Sequence, residues 1–208
     1  WGETELYLSA ATEVLSQTPI PAVAQRDLVI DDFEDGEYLD WKIEGDAFNG
    51  VALKATEIAK YQGNVNAAGK FLINSHNKAD TNGKNLQSSD KWQGKITSPS
   101  FVIERDAIEL LVGGGAHQDK TCVRLIVDNK VVHAATGKNN NRMEKVHWDV
   151  KKWRGKTSHI EILDQHTGGW GNIGVDQIVM TSATVEGLSG LSRESLANKT
   201  KKIASSNG

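Results

Sequence analysis

The 208-residue chain holds a single cysteine, Cys122, so neither an intrachain disulfide nor a cysteine-based zinc site can form. Proline is nearly as scarce. Pro19 and Pro21 stand near the start, and Pro99 interrupts an apolar run, where it marks an edge or a strand crossing between sheets. No apolar run approaches the roughly 18–20 residues needed to span a bilayer. With 24 Lys and Arg against 27 Asp and Glu, the net charge of -3 offers no basic excess for a phosphate backbone, which argues against nucleic acid as a partner. A leader of basic, apolar and small residues is missing, so the chain reads as cytoplasmic or as a mature, already trimmed piece. There is no Gly-x-Ser-x-Gly elbow, phosphate loop or His-Glu-x-x-His, and the six histidines show no metal-ligand spacing on a helical pattern.

What the chain does have is short apolar runs of period two, separated by turn residues. Residues 28–33 form the first such run and close on the acidic turn Glu34-Asp35-Gly36-Glu37. Residues 71–75 and 92–97 follow, with 51–60 open to either a helical turn or a loop, and 76–90 a long polar surface loop. Ile108, Leu110 and Val112 share one face of the next run, which ends on Gly113-Gly114-Gly115. Between 122–127 and 131–135, Asp128-Asn129 sits where a two-residue hairpin turn belongs. About ten short strands without long helical segments predict an all-β, jelly-roll β-sandwich of two antiparallel sheets over 27–181. Ile108, Leu110, Leu125, Trp148, Ile160, Ile162 and Val175 are its expected core. The flanks predict a helix and linker at 1–26 and a linker or tail at 182–208.

One stretch, 160–178, organises the reading. Two apolar runs flank a loop containing Gly168, Gly169, Trp170 and Gly171, and glycines around one tryptophan point to a loop whose shape matters. Trp170 is then an amphipathic plate that either stacks on a sugar or caps the open end of the sandwich. The carboxylates of Asp31, Asp32, Glu34 and Asp35 end the first strand, and Asp176 lies in the last. Where first and last strands are neighbours, Glu34 and Asp176 can converge with backbone carbonyls on a structural calcium ion; the alternative is an acidic turn and a buried Asp bonded to amides.

In order along the chain, Asp32-Phe33-Glu34, Gly45-Asp46-Ala47-Phe48, Thr97-Ser98-Pro99-x-Phe101, Gly113-Gly114-Gly115, Val127-Asp128, Trp148-Asp149-Val150, Gly168-Gly169-Trp170-Gly171 and Val175-Asp176-Gln177-Ile178 can be read. Together they resemble the β-sandwich module attached to bacterial family 32 glycoside hydrolases, the levanase, inulinase and sucrase group. The resemblance implies a secreted, extracellular or periplasmic, non-catalytic carbohydrate-binding module with fructans as its ligand class. It departs at Asn129, where glycine is usual, at His133, where arginine is common, and at Asn172, where histidine often follows Trp-Gly.

Sugar hydroxyls are recognised by polar contacts beside an apolar platform. Near the glycine loops the expected ligand-binding set is Arg105 and Arg124 as donors, Asp164 as acceptor, Trp170 as platform, with Gly114 and His117 beside them. Arg124 can alternatively pair with a carboxylate across the sheet. Two function classes follow: a module that binds a polysaccharide or oligosaccharide, or a structural sandwich that docks a neighbouring domain or subunit through its tails.

Overall fold

The computed structural model describes residues 26–48, 50–76 and 89–182. They form two antiparallel sheets of six strands each. The strands are β1 (Leu28–Asp31), β2 (Lys42–Gly45), β3 (Leu53–Lys54), β4 (Phe71–Asn74), β5 (Gly94–Thr97), β6 (Phe101–Val102), β7 (Ala107–Gly114), β8 (Thr121–Val127), β9 (Lys130–Ala135), β10 (Asn140–Asp149), β11 (Thr157–Asp164) and β12 (Ile173–Thr181). One sheet runs β10-β7-β12-β4-β3 with β1 also on β12; the other runs β2-β5-β11-β8-β9 with β6 also on β11. In each, a long central strand has a long partner on one side and two short strands sharing the other.

The inward-facing residues of both sheets make one core. Ile108, Leu110, Leu125, Trp148, Ile160, Ile162 and Val175 are all buried in it, as the alternation in the sequence predicts. Ile162 lies between Val123 on β8 and Ile96 on β5 and is fully buried. Ile162→Ala is expected to cost roughly 2–5 kcal/mol of unfolding free energy, measurable as a lower urea midpoint at unchanged slope.

Local chemistry sets the strand ends. The first strand stops at Asp31, two residues short of the predicted end, because the Asp31 carboxylate accepts the Phe33 amide at 2.8 Å and Phe33 turns to φ 60°. Asp128 and Asn129 both take positive φ, 49° and 59°, as a two-residue turn joining β8 to β9 requires. Residues 51–60, ambiguous in the sequence, become β3 and the 3₁₀ turn Ala55–Glu57; a second 3₁₀ turn, Lys60–Gln62, follows. Pro99 separates β5, which lies between β2 and β11, from β6, which also pairs with β11, so it does not carry the chain between sheets. Beside it the Ser98 hydroxyl accepts the Ile160 amide at 2.9 Å. Most of the expected helix and linker at 1–26, of the tail at 182–208 and of the 76–90 loop lies outside the described residues.

Candidate functional site

β11 and β12 are joined by the loop 165–172, which carries Trp170 at one end of the sandwich. The Gly171 amide donates to the Gly168 carbonyl at 2.9 Å, closing a tight turn with Trp170 in its third position. Trp170 itself holds φ 63°, a conformation that such a turn ordinarily assigns to glycine. Gly171 is required for another reason: a Cβ there would lie 2.2 Å from the His166 carbonyl oxygen and 2.7 Å from that of Asp90. A bulky residue in the left-handed region persists only where its surroundings over-determine it. The result is a tryptophan that stays 41% exposed at the end of the sandwich.

Beside Trp170 lies a cavity of about 410 Å³ lined by Tyr61, His76, Asp90, Asn141, Gly169 and Asn172. The Asn172 amide donates to the Asn141 side-chain oxygen at 2.8 Å. His76, 3% exposed, meets the Tyr61 hydroxyl through Nδ1 at 2.7 Å, and the Gly171 carbonyl at 3.0 Å and Asp90 Oδ1 at 3.2 Å through Nε2. Burial lowers the His76 pKa against the pull of Asp90, and burial together with the Asp90 charge pushes the Tyr61 hydroxyl up to about 12. The lining therefore joins an aromatic plate, two amides and a carboxylate whose neighbour is a neutral imidazole.

The structure distributes the six expected ligand residues differently. Trp170 is at the cavity. His117 backs the same loop from outside: it stacks on His166 with ring centres 3.6 Å apart and meets the Gly169 carbonyl through Nε2 at 3.2 Å. Gly114 holds φ 105°, and a Cβ there would lie 2.3 Å from the Asn172 carbonyl oxygen, so its part is close packing of β7 against the loop. Asp164 is wholly buried beneath the loop and presents no oxygen to a ligand. Its register neighbours are Thr121 on β8 and Gly94 on β5, and neither carboxylate oxygen nor the Thr121 hydroxyl has a hydrogen-bond partner. Arg124 sits on the outer face of its sheet, donating to the Asp119 carbonyl at 3.0 Å and facing its carboxylate at 3.5 Å. Arg105 precedes β7, whose other end is Gly114; eight residues at about 3.4 Å each separate it from the Trp170 end. Its guanidinium is taken by the carbonyls of Arg26 and Glu104.

Tyr61, His76, Asp90, Asn141 and Asn172 could not be grouped from the sequence because they come from five separate places along the chain. Asn172 alone carried a signal, as a departure within the Trp-Gly motif.

The two carboxylates of the expected metal site, Glu34 and Asp176, are both held by backbone amides of residues 68–71. Asp176 lies opposite Leu111, on the other face of β12 from the core residue Val175, and is buried there against Ala68; a bulge at Gln177, φ 53°, follows and shifts the register of the strand. Asp176 Oδ2 accepts the Ala68 amide at 2.7 Å, whereas Oδ1 is buried without a partner. Glu34 Oε1 accepts the amides of Lys70 and Phe71 at 2.7 and 3.0 Å, against Gly69, where a Cβ would collide with the carboxylate. Burial, and then the charges of Glu34 and Asp32, raise the Asp176 pKa to about 6. Among the described residues no three His, Cys, Asp or Glu side chains are grouped to hold a metal ion. Further ligands would have to be backbone carbonyls, which calcium accepts.

The sequence matches no family model. It is 34% identical over 158 residues to the putative glycosyl hydrolase ecdE of Aspergillus rugulosus, covering 74% of this chain and 21% of that protein. The chain thus spans about a fifth of the length of the curated relative it matches. Similar solved structures include TmCBM61 in complex with β-1,4-galactotriose (15% identity, 76% of this chain and 100% of that one, TM-score 0.44). The K1 cleaved adhesin domain of Lys-gingipain from Porphyromonas gingivalis W83 overlays with 12% identity over 77% of this chain and 100% of that one, TM-score 0.45. A family 35 carbohydrate binding module from Clostridium thermocellum overlays with 13% identity over 76% and 100%, TM-score 0.35.

Proposed function

We propose that this chain is a non-catalytic carbohydrate-binding module, that it serves a larger secreted protein, and that fructan is its ligand. The observation carrying this is the exposed Trp170 ring held in a strained turn beside Asp90, Asn141 and Asn172. An aromatic plate with convergent amides and a carboxylate is the equipment that polyhydroxylated rings demand. The similarity to a putative glycosyl hydrolase supports an accessory role near glycan chemistry. The fructan assignment rests on the ordered motifs alone. A glycosidase needs two carboxylates that reach the scissile bond. Asp164 has the raised pKa of a general acid but is fully buried, which leaves Asp90 as the carboxylate of the lining among the described residues.

Titrating the protein with levan, inulin and unrelated glycans by calorimetry tests the reading. Saturable binding to a fructan with none to the others is expected; binding to no glycan would remove it. The assembly reading has its own observation, a groove of about 560 Å³ between β1 and β6, lined in part by Val29, Leu39 and Val102, all exposed.

A structural calcium held by Glu34 and Asp176 belongs to the same proposal. An ion at a hundred times its Kd stabilises the native state by about 2.7 kcal/mol, which for this size is roughly 5–10 °C of Tm. A chelator should lower Tm by that order, and an unchanged Tm would dismiss the ion.

A further inference from the structure

We propose that His76 is the positioning residue of the cavity, one imidazole that sets both the loop bearing Trp170 and the carboxylate of Asp90. The inference rests on the glycan-binding reading and adds to it a residue that need not touch the sugar. Both neighbours of Nε2, the Gly171 carbonyl and Asp90 Oδ1, are acceptors, so Nε2 carries the proton. Nδ1 is then left as an acceptor for the Tyr61 hydroxyl. In this single tautomer Nε2–H donates to the Gly171 carbonyl and Nδ1 accepts from Tyr61, while Asp90 Oδ1 lies 3.2 Å from the same Nε2.

The ring is itself fixed from the sandwich. The His76 amide donates to Asn74 Oδ1 at 2.9 Å, and the Asn74 amide donates to Gln62 Oε1 at 2.8 Å, next to Tyr61 on the same 3₁₀ turn. Trp92 closes against the ring edge-on, with centres 6.5 Å apart. Gly171 follows Trp170 directly, so the carbonyl that His76 holds ends the strained turn. Asp90, with 13% of its side chain exposed, is held on one oxygen from below while it lines the cavity.

The test compares His76→Ala, His76→Gln and Tyr61→Phe in the full chain, using hydrogen exchange of the loop amides together with levan and inulin titrations. Glutamine can place its Nε2 donor close to that of the imidazole. His76→Ala should speed exchange across 165–172 and weaken fructan binding, each by about tenfold, with exchange in β11 and β12 unchanged. His76→Gln should restore most of both, and Tyr61→Phe should fall between. The proposal is overturned if loop exchange is unaltered in His76→Ala, if core strands speed up with the loop, or if glutamine is no better than alanine. Should His76→Ala not fold, the glutamine and Tyr61→Phe variants decide by the same readout. A wild-type protein that binds no glycan, with the exchange pattern as expected, would sink the glycan reading and leave the positioning role standing.

Discussion

Asp164→Asn is expected to stabilise the protein above neutral pH, by an amount that vanishes toward pH 4. Asp164 ends β11, wholly buried; the Ser75 hydroxyl and His166 amide face its carboxylate, but neither completes a hydrogen bond to it. Burial raises its pKa from 3.8 to about 7; the Ser75 hydroxyl and His166 amide pull it down, and the charge of Asp90 pushes it up. An unfolded chain gives up this proton near pH 4, and the folded one holds it to about 7. Between those values the native state binds the extra proton, so stability falls as pH rises, by roughly 4 kcal/mol over the whole window. Asparagine carries no such charge at any pH. Urea unfolding of both proteins at pH 4, 6 and 8 should show curves that meet at pH 4 and separate upward. Asp176 adds a slope of the same sign in both proteins and cancels in the difference. A constant gap at all three values would mean that Asp164 is already ionised at pH 4 in the fold.

Trp170→Ala is expected to weaken fructan binding by about thirtyfold, near 2 kcal/mol, the loss typical of a tryptophan at the centre of a contact. The fold should tolerate it. The ring is 41% exposed, alanine keeps the same backbone constraint at φ 63°, and the stability change should stay within roughly 1 kcal/mol. Arg105→Ala is the control, since that side chain is engaged at the far end of β7 and should leave affinity unchanged. Equal losses in both variants, or none in either, would detach the binding from the Trp170 loop.

Period-two runs fixed which faces of β7, β10 and β11 point inward, because a one-residue slip would turn their core side chains to the other face. The hairpin at Asp128-Asn129 was equally local, since few residues accept two positive φ angles in succession. Glu34 and Asp176 were legible only as carboxylates just after the first strand and within the last; that the amides of Ala68, Lys70 and Phe71 hold them was not, because that segment reaches them from elsewhere in the chain. Trp170 could be singled out by its glycines, whereas its exposure depends on strain that only the closed turn reveals. Asp164 looked like a ligand because polarity is visible in a sequence and burial is not; Thr121 and Gly94, which flank it, are 43 and 70 residues away. Arg105 and Gly114 are close in sequence and at opposite ends of one strand, since an extended chain separates its ends fastest. The cavity itself belongs to the tertiary structure, because Tyr61, His76, Asp90, Asn141 and Asn172 share no spacing and meet only where the two sheets bring their loop ends together.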